Sequence, residues 1–507
     1  MRKIQILVLL AAVMGAAWLT TLVDDGLGVG WVQVVVRNWE QFGFSNLHGK
    51  LVYNPGGFEA ESQPKIYAGH RPASILPVFL CHHLLAAGDK GFLVYYAIMA
   101  AIVLLAIWQL LGRTERAFWL ATVVVLTPGY LRWQTSLDPN LAAVLFGFPF
   151  CAIVLGLLQR SALKWMHWAA LFLLTLIYTS VNWSTIFIHA MLLVTLLLLP
   201  SVSRRRLFYY AGLAAVIGGV VLLTSMASKV VRLPDGRTPS TGLAQTLLNY
   251  GWGNSGYGLD MGTKTACLRL LAANLMGLLP MLVFLGWQFW RRGGRRSAGG
   301  LIFLAPFLVS VVEVMGMRNY FGHHPWMSIH FILMGIILSA VLWKARFGST
   351  ATDAIQSRLA FRLAGLAVTF IYSFTVLTAY HAHNGAELNL VGMIRAHTDR
   401  DTTIVIRLDT DPALKGMDLR LPELFDRHVV VVPDSTAASL ADVPAKRLFL
   451  TTIPPVSEKI LGQAGGAENE NSVMKKLLGW YTHYIAHRRP GDKLELSDKF
   501  FLYQPPS

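Results

Sequence analysis

The sequence predicts a polytopic α-helical membrane protein with a small α/β domain at its carboxyl end. Of the 507 residues, 54% are hydrophobic and only 14% are charged, a composition too apolar for a soluble globular protein. Long runs without charge match the roughly 20 residues that cross a hydrocarbon core. Many basic residues lie in short segments between these runs, as in the arginine-rich segments 204–206 and 291–296.

The net charge of +16 does not indicate a nucleic-acid partner. Basic residues concentrated in short loops report the orientation of a membrane protein rather than a polyanionic ligand. The three cysteines, Cys81, Cys151 and Cys267, lie far apart in or beside apolar segments. Their spacing therefore favours neither a disulfide framework nor a zinc site.

About eleven apolar runs are predicted to span the membrane. The first could be a cleaved signal peptide, but the many later spans favour a retained helix. The run 75–87 contains Pro77 and is short, so it is predicted to be an interfacial helix rather than a crossing. This assignment puts every basic loop inside, the amino terminus in the cytoplasm and the carboxyl terminus outside. The predicted spans are 4–22, 92–111, 117–130, 141–158, 168–179, 185–199, 207–223, 270–290, 301–315, 328–342 and 363–380.

Two domains are expected, a transmembrane domain at 1–383 and an outer α/β domain at 384–507. The first has a first outer loop at 24–91, with interfacial helices, and a long outer loop at 228–269. In the second, β-branched runs predict strands, and apolar periodicity predicts helices. The glycine-rich segment starting at Gly462 follows no predicted strand, so it gives little support for nucleotide binding. The predicted elements are strands 403–407, 428–432 and 447–451, helices near 388–395 and at 473–487, and a closing hairpin at 494–503.

An acidic pair, Asp24-Asp25, directly follows the first span and so emerges on the outer side. The segment 27–44 after it has amphipathic helical character and is suited to lying on the membrane surface. Three further features follow within the first 200 residues. They are Arg37-Asn38 with Gly43, the triplet His70-Arg71-Pro72, and Ser136-Leu137-Asp138-Pro139 in the second outer loop.

This order of features resembles the GT-C superfamily of membrane glycosyltransferases. More narrowly, it resembles the branch with protein O-mannosyltransferases, lipid A aminoarabinose transferases and bacterial relatives acting on envelope glycans such as lipopolysaccharide. The chain differs from the usual pattern in having Asp-Asp where Asp-Glu is common and His-Arg-Pro where His-Pro-Pro is common. The resemblance implies a polyprenyl-phosphate-linked sugar donor and a lipid, glycan or protein acceptor. It also implies action at the outer, periplasmic face of the bacterial inner membrane, with Asp24 or Asp25 as general base and Asp138 as a second acid.

The chemistry of such a transfer asks for the same residue types. Displacing a lipid phosphate from an anomeric carbon needs a base for the acceptor and cations for the leaving group, and the planar fork of arginine suits phosphate. A divalent cation, Mg or Mn, could be held by Asp24 or Asp25 together with Asp138, although no motif demands one. The predicted donor-phosphate ligands are Arg71, Arg132, Arg318, Lys229 and Arg232, and the predicted acceptor or sugar contacts are His70, Trp252, Tyr257 and His323.

Structural interpretations of these residues stay open. Asp24-Asp25 could be a solvated helix exit, Arg37 a lipid anchor, and Asp138 a turn residue before a proline. Two other functions also stay open. A polymer ligase using a lipid-diphosphate oligosaccharide would share the outer arginines and a base. A transporter would need ionisable residues through several spans and a repeated half, whereas Glu313 is the only clear intramembrane acid.

Overall fold

The computed structural model describes only part of the chain, and it divides the chain into two compact units. A helical unit comprises Met1–Thr21 and Ala68–Thr375, and a sheet unit comprises Leu22–Tyr67 and Val376–Ser507. The described residues are 2–21, 30–53, 72–84, 90–134, 137, 139–182, 184–230, 272, 275–283, 302–316, 325–347, 359–383, 385–407, 426–432, 446–451, 459–465 and 499–504.

Helices dominate the described residues. A short 3-10 turn, Pro72–Ser74, precedes the third helix. The helices are α1 (Arg2–Thr20), α2 (Gly30–Phe42), α3 (Leu76–Leu84), α4 (Lys90–Leu110), α5 (Glu115–Val125), α6 (Pro128–Gln134), α7 (Pro139–Leu158), α8 (Trp165–Val181), α9 (Thr185–Leu198), α10 (Arg204–Val230), α11 (Ala305–Gly316), α12 (Pro325–Phe347), α13 (Leu359–His383) and α14 (Gly385–His397).

Six of these helices are long and apolar enough to cross a membrane, which supports the predicted polytopic helical class. The described residues contain fewer candidate spans than the predicted count of about eleven, so that count stays a prediction. Most of the predicted span 270–290 lies outside the described residues. Three further apolar helices are shorter: Trp165–Val181, Thr185–Leu198 and Ile302–Met315. The six candidate spans are Lys3–Thr20, Gly91–Leu110, Leu141–Leu158, Arg204–Leu223, Ser328–Ala345 and Arg362–Ala379.

The run 117–130 differs from its prediction as one continuous span. Helix α5 ends at Val125 and α6 begins at Pro128. Proline lacks an N–H and has a helical φ, so it is tolerated in the first turn of a new helix but not inside one. Helix α3 has nine residues, about 14 Å at 1.5 Å per residue, which is too short to cross a core of about 30 Å.

The sheet unit contains a five-stranded mixed sheet in the order β2-β1-β3-β5-β4. Strand β1 pairs in parallel with β2 and β3, and β5 pairs antiparallel with β3 and β4. Helix α14 packs against β4 and β5. The strands are β1 (Thr403–Arg407), β2 (His428–Val432), β3 (Arg447–Thr451), β4 (Lys459–Gly465) and β5 (Lys499–Gln504).

Strands β1, β2 and β3 have the predicted bounds, but β4 was not predicted. Its sequence, KILGQAG, contains two glycines, which are depleted in strands and hide the pattern. The closing strand β5 pairs with β3 and β4. The first half of the hairpin predicted at 494–503 lies outside the described residues, so that hairpin stays a prediction. The helix predicted at 473–487 lies outside the described residues.

The segment 22–67 groups with the carboxyl-terminal part of the chain, whereas the sequence assigned it to the transmembrane domain. Helix α2 has an amphipathic sequence, yet Val32, Val35, Val36 and Trp39 are almost fully buried in protein. The expectation that this helix lies on the membrane is therefore wrong. An amphipathic pattern alone does not distinguish a lipid surface from a protein surface.

Helices α11 and α12 approach each other closely at Gly335. A Cβ atom there would lie 2.9 Å from the carbonyl oxygen of Pro306 and 2.5 Å from Oγ of Ser310. The backbone oxygen cannot move aside independently. Gly335 therefore sets the spacing of this helix pair.

Replacing Gly335 with Ala is expected to lower the thermal unfolding temperature in detergent, because overpacking typically costs about 1–3 kcal/mol. Gly218→Ala is the matched control, since nothing lies within 4 Å of a Cβ added there. That control should keep or raise the unfolding temperature, because alanine is the better helix former. Equal unfolding temperatures for the two variants would contradict the close approach.

Candidate functional site

Several helix ends meet at one end of the helical unit. Ala142 and Ala143 at the start of α7 pack against Val181 at the end of α8. The rings of Phe187 in α9 and Phe331 in α12 lie 5.5 Å apart, centroid to centroid. The end of α8 and the starts of α7, α9 and α12 are therefore neighbours.

Helix α6 joins the same end through its contact with α12. The rings of Tyr130 and His330 lie 5.6 Å apart, and a Cβ atom at Gly129 would meet Ile329. Each of these helix ends is connected to a segment that the sequence predicts to lie outside. These segments are 131–140, 180–184 and 316–327. Packing thus brings together helix ends that sequence reasoning placed on one side of the membrane.

Helix α11 runs antiparallel to α12 and directs Glu313 toward this end. The backbone N–H of Phe307 donates to Oγ of Ser339, at 3.1 Å, and Ser310 lies against Gly335. Later residues of α11 therefore lie beside earlier residues of α12. Glu313 is partly buried, and its Oε2 has no hydrogen-bond partner in the described structure.

Five polar side chains are buried at these helix ends, and we call this set the polar end. Arg132 and Gln134 belong to α6 and are each only 1% exposed. The backbone N–H of Ser184 donates to Oδ1 of Asn182, at 3.2 Å, which fixes the turn between α8 and α9. The polar end comprises Arg132, Gln134, Asn182, Ser184 and His330.

Some buried polar atoms of the polar end and of the neighbouring Tyr130 lack hydrogen bonds. Within the described structure, both amide atoms of Gln134, Oγ of Ser184 and the hydroxyl of Tyr130 have no partner. Leaving a buried donor or acceptor unsatisfied costs about 1–3 kcal/mol. Such groups are expected where a polar ligand or an ordered water binds.

Arg132 is the one predicted site residue whose side chain the structure describes, and it lies in the polar end. Lys229 lies near the end of α10, among residues of which only the backbone is described. The others lie outside the described residues, and their roles stay predictions: Asp24, Asp25, His70, Arg71, Asp138, Arg232, Trp252, Tyr257, Arg318 and His323.

The chain neighbours of two undescribed residues do pack together. The 3-10 turn Pro72–Ser74 begins one residue after Arg71 and contacts α7 and α8. Helix α7 begins one residue after Asp138. Covalent connection thus keeps Arg71 and Asp138 attached to elements that touch.

Sequence reasoning did not select Gln134, Asn182, Ser184 or His330. Each lies in or next to a segment predicted to be outside, which is the signal that could have found them. Amides and hydroxyls are also common at helix ends as capping groups, so their type alone does not indicate a ligand site.

No group of three or more His, Cys, Asp or Glu residues that could hold a metal occurs in the described part of the chain. The pair proposed for a divalent cation, Asp24 and Asp138, is not in that part. The Mg or Mn ion therefore stays a prediction.

No protein-family model matches the chain, and no curated protein matches it. Two similar solved structures come from Archaeoglobus fulgidus. One is an oligosaccharyltransferase in the apo form, with 13% identity and a TM-score of 0.45, covering 85% of this chain and 64% of that chain. The other is the oligosaccharyltransferase AglB with an inhibitory peptide and a dolichol-phosphate, with 12% identity and a TM-score of 0.40, covering 84% and 64%.

The chain spans less than two thirds of the length of these two structures. Likeness at this level does not establish a shared activity. A functional assignment therefore depends on the residues of this chain.

Replacing Gln134 with Leu is expected to leave the free energy of unfolding unchanged or to raise it by about 1–3 kcal/mol, because it removes two unsatisfied buried polar atoms. The matched control is Asn182→Leu, which removes the acceptor for the Ser184 N–H and should lower stability. Thermal unfolding in detergent measures both. Equal destabilisation of the two variants would show that Gln134 has a structural role.

Proposed function

We propose that the chain is a membrane glycosyltransferase that moves a sugar from a polyprenyl-phosphate donor to a lipid, glycan or protein acceptor. The observation that carries this proposal is the burial of Arg132 at one end of a helical unit with candidate membrane spans, where helix ends also bury Gln134, Asn182, Ser184 and His330. The predicted topology makes this end the outer face. A cation and several polar groups together fit a phosphate joined to a sugar.

The burial of Arg132 supports a phosphate ligand. A guanidinium in an apolar helical unit loses solvation worth several kcal/mol, roughly, and such residues in membrane segments are mostly functional. Its planar fork can donate two parallel hydrogen bonds to phosphate oxygens. In a site shielded from water, this attraction is stronger than at an exposed surface.

The unpartnered groups support a sugar ligand. An amide both donates and accepts hydrogen bonds, and a hydroxyl does the same, which matches the hydroxyl groups of a sugar. Gln134 and Tyr130 lie four residues apart on α6 and therefore on one face of that helix. Ser184 is at the neighbouring helix end. We assign these three side chains to the sugar.

The reaction needs a base, and the acidic pair is our candidate. Asp24 or Asp25 takes the proton of the acceptor hydroxyl, whose oxygen then bonds to the anomeric carbon. The bond from that carbon to the phosphate oxygen breaks, and the lipid phosphate leaves with the electron pair. Asp138 assists. Cationic side chains stabilise the leaving phosphate. The proposed ones are Arg71, Arg132, Lys229, Arg232 and Arg318.

The proposed setting is the bacterial inner membrane, with the amino terminus in the cytoplasm and the sheet unit in the periplasm. The basic loops of the sequence support this orientation. His70, Trp252, Tyr257 and His323 are proposed contacts for the acceptor or the sugar. The sequence favours these types because aromatic rings and imidazoles suit carbohydrate surfaces and hydroxyls.

Sugar transfer in proteoliposomes tests the proposal, with radiolabelled polyprenyl-monophosphate sugar as donor. Wild type is expected to transfer the sugar. Asp24→Asn or Asp25→Asn should lower transfer by about 10²–10⁴-fold, the usual contribution of a general base. Unfolding temperatures near wild type are expected, since each change keeps the shape of the side chain.

Loss of transfer in one variant but not the other would name the base. Equal loss of folded protein in both variants would contradict the catalytic role. A wild type that uses only a lipid-diphosphate oligosaccharide would assign the chain to the polymer ligases instead.

A further inference from the structure

Asp426 is a buried acid with an unusual backbone conformation in the sheet unit. It lies two residues before the first residue of β2, is fully buried and has a φ of 53°. Most residues with a side chain avoid this left-handed region, but Asp and Asn tolerate it.

Both oxygens of the Asp426 carboxylate are held by arginines. Oδ2 lies 3.0 Å from Nη1 of Arg37 and 2.9 Å from Nε of Arg400. Oδ1 accepts a hydrogen bond from Nη2 of Arg400, at 3.0 Å. Arg37 belongs to α2, whereas Arg400 lies in the turn between α14 and β1. One carboxylate thus joins α2 to elements nearly 400 residues later.

Arg400 makes two further contacts with α2. Its Nη2 donates to Oδ1 of Asn38, at 2.9 Å, and its Nη1 donates to Oε1 of Gln41, at 2.6 Å. The same guanidinium therefore binds both Asp426 and α2. Loss of the Asp426 charge would therefore weaken the ion pair that orients Arg400 toward α2.

The polar contacts of α2 form a stripe along one face. Gln33, Arg37 and Gln41 are spaced four residues apart and so lie above one another on the helix. Arg395 of α14 donates to Oε1 of Gln33, at 3.4 Å, and Asp426 and Arg400 bind the other two. This stripe attaches α2 over most of its length to α14 and to the segments flanking β1 and β2.

The Asp426 carboxylate also lies among several cationic side chains. Burial lowers the pKa of Arg427 to about 10; the Asp426 charge opposes that shift, and Arg37, Arg395 and Arg400 add to it. The other three guanidinium groups are therefore close enough to repel that of Arg427, and the Asp426 carboxylate offsets part of this repulsion.

The chain after α2 is also fixed to the helix. The indole N–H of Trp39 donates to the carbonyl of Lys50, at 2.7 Å, and Nδ2 of Asn38 donates to the carbonyl of Val52, at 2.9 Å. Helix α2 is therefore held both by the segments flanking β1 and β2 and by the chain that follows it. Its first residue, Gly30, is five residues from Asp25, a reach of at most about 18 Å.

We propose that Asp426 is a positioning residue for sugar transfer, which holds α2 in place and thereby tethers the acidic pair Asp24-Asp25. This inference rests on the proposed function, in which that pair supplies the base. Asp426 itself touches neither donor nor acceptor in this account. It acts through Arg37 and Arg400, and the carboxyl-terminal part of the chain thereby becomes necessary for catalysis.

Asp426→Asn is the test variant, because asparagine has the same shape and tolerates the same φ while lacking the charge. Amide hydrogen exchange in α2 is expected to speed up by about tenfold or more, with β1 and β3 unchanged. The kcat for transfer should fall by about 10- to 100-fold, as for a misplaced catalytic group. The KM for the donor should stay near wild type, since the donor contacts are elsewhere.

Asp399→Asn is the matched control. Asp399 is highly exposed and pairs with Lys446, at 2.8 Å, which holds the pKa of that carboxyl below its usual value. This pair lies near the same turn but does not contact α2. Neither α2 exchange nor transfer should change in this variant.

Unchanged exchange of α2 in Asp426→Asn would overturn the inference whether or not the chain transfers sugar. Faster exchange of α2 with wild-type transfer would overturn the positioning role. Faster exchange throughout the sheet would show a general folding role and overturn it as well. A wild type that transfers no sugar contradicts the proposed function instead, and that outcome is distinct because exchange is measured without substrate.

Discussion

The helical unit depends on one physical constraint: polar groups inside an apolar helical protein are costly unless they bind something. Candidate spans such as α4, α7 and α12 are apolar and pack on one another, so most of the unit satisfies the constraint by having few polar groups. Gln134 and Ser184 keep buried polar atoms without a partner in the described structure, and they lie, with the buried Arg132, where helix ends meet. The same constraint acts in the sheet unit, where Asp426 is buried and fully paired. The helical unit thus has buried polar atoms that we propose bind a ligand, whereas the sheet unit uses Asp426 to fix α2.

Much of the fold follows from local sequence patterns. Apolar length predicts the long helices, and β-branched runs predict β1, β2 and β3 to the residue. Local patterns fail where the deciding interaction is distant. The glycines of β4 are acceptable because β5 pairs with it, and the apolar residues of α2 are buried by protein that its own sequence cannot specify. The break at Pro128 could have been predicted, since proline marks a helix start.

The candidate site was only partly predictable. A charged residue such as Arg132 is conspicuous next to apolar runs, so the sequence selects it as a phosphate ligand. Gln134 and Ser184 resemble ordinary helix-end residues, and only their burial without partners distinguishes them. Asp426 and Arg37 are separated by 389 positions, so no motif connects them. Sequence therefore identifies the charged candidates, whereas packing is needed to identify their neutral neighbours and their supports.

The most direct measurement of the central claim is the thermal shift caused by a polyprenyl-monophosphate sugar on the purified protein in detergent. At a donor concentration about 100 times Kd, binding should stabilise the wild type by about 2.7 kcal/mol and raise its unfolding temperature. Arg132→Gln should lose most of this shift, because it removes the buried cation that is proposed to bind phosphate. Arg206→Gln is the control, since Arg206 binds the carbonyls of Leu158 and Ser161 at a predicted inner loop, and it should keep the shift. An equal donor-induced shift in Arg132→Gln and wild type, or none in either, would contradict the account.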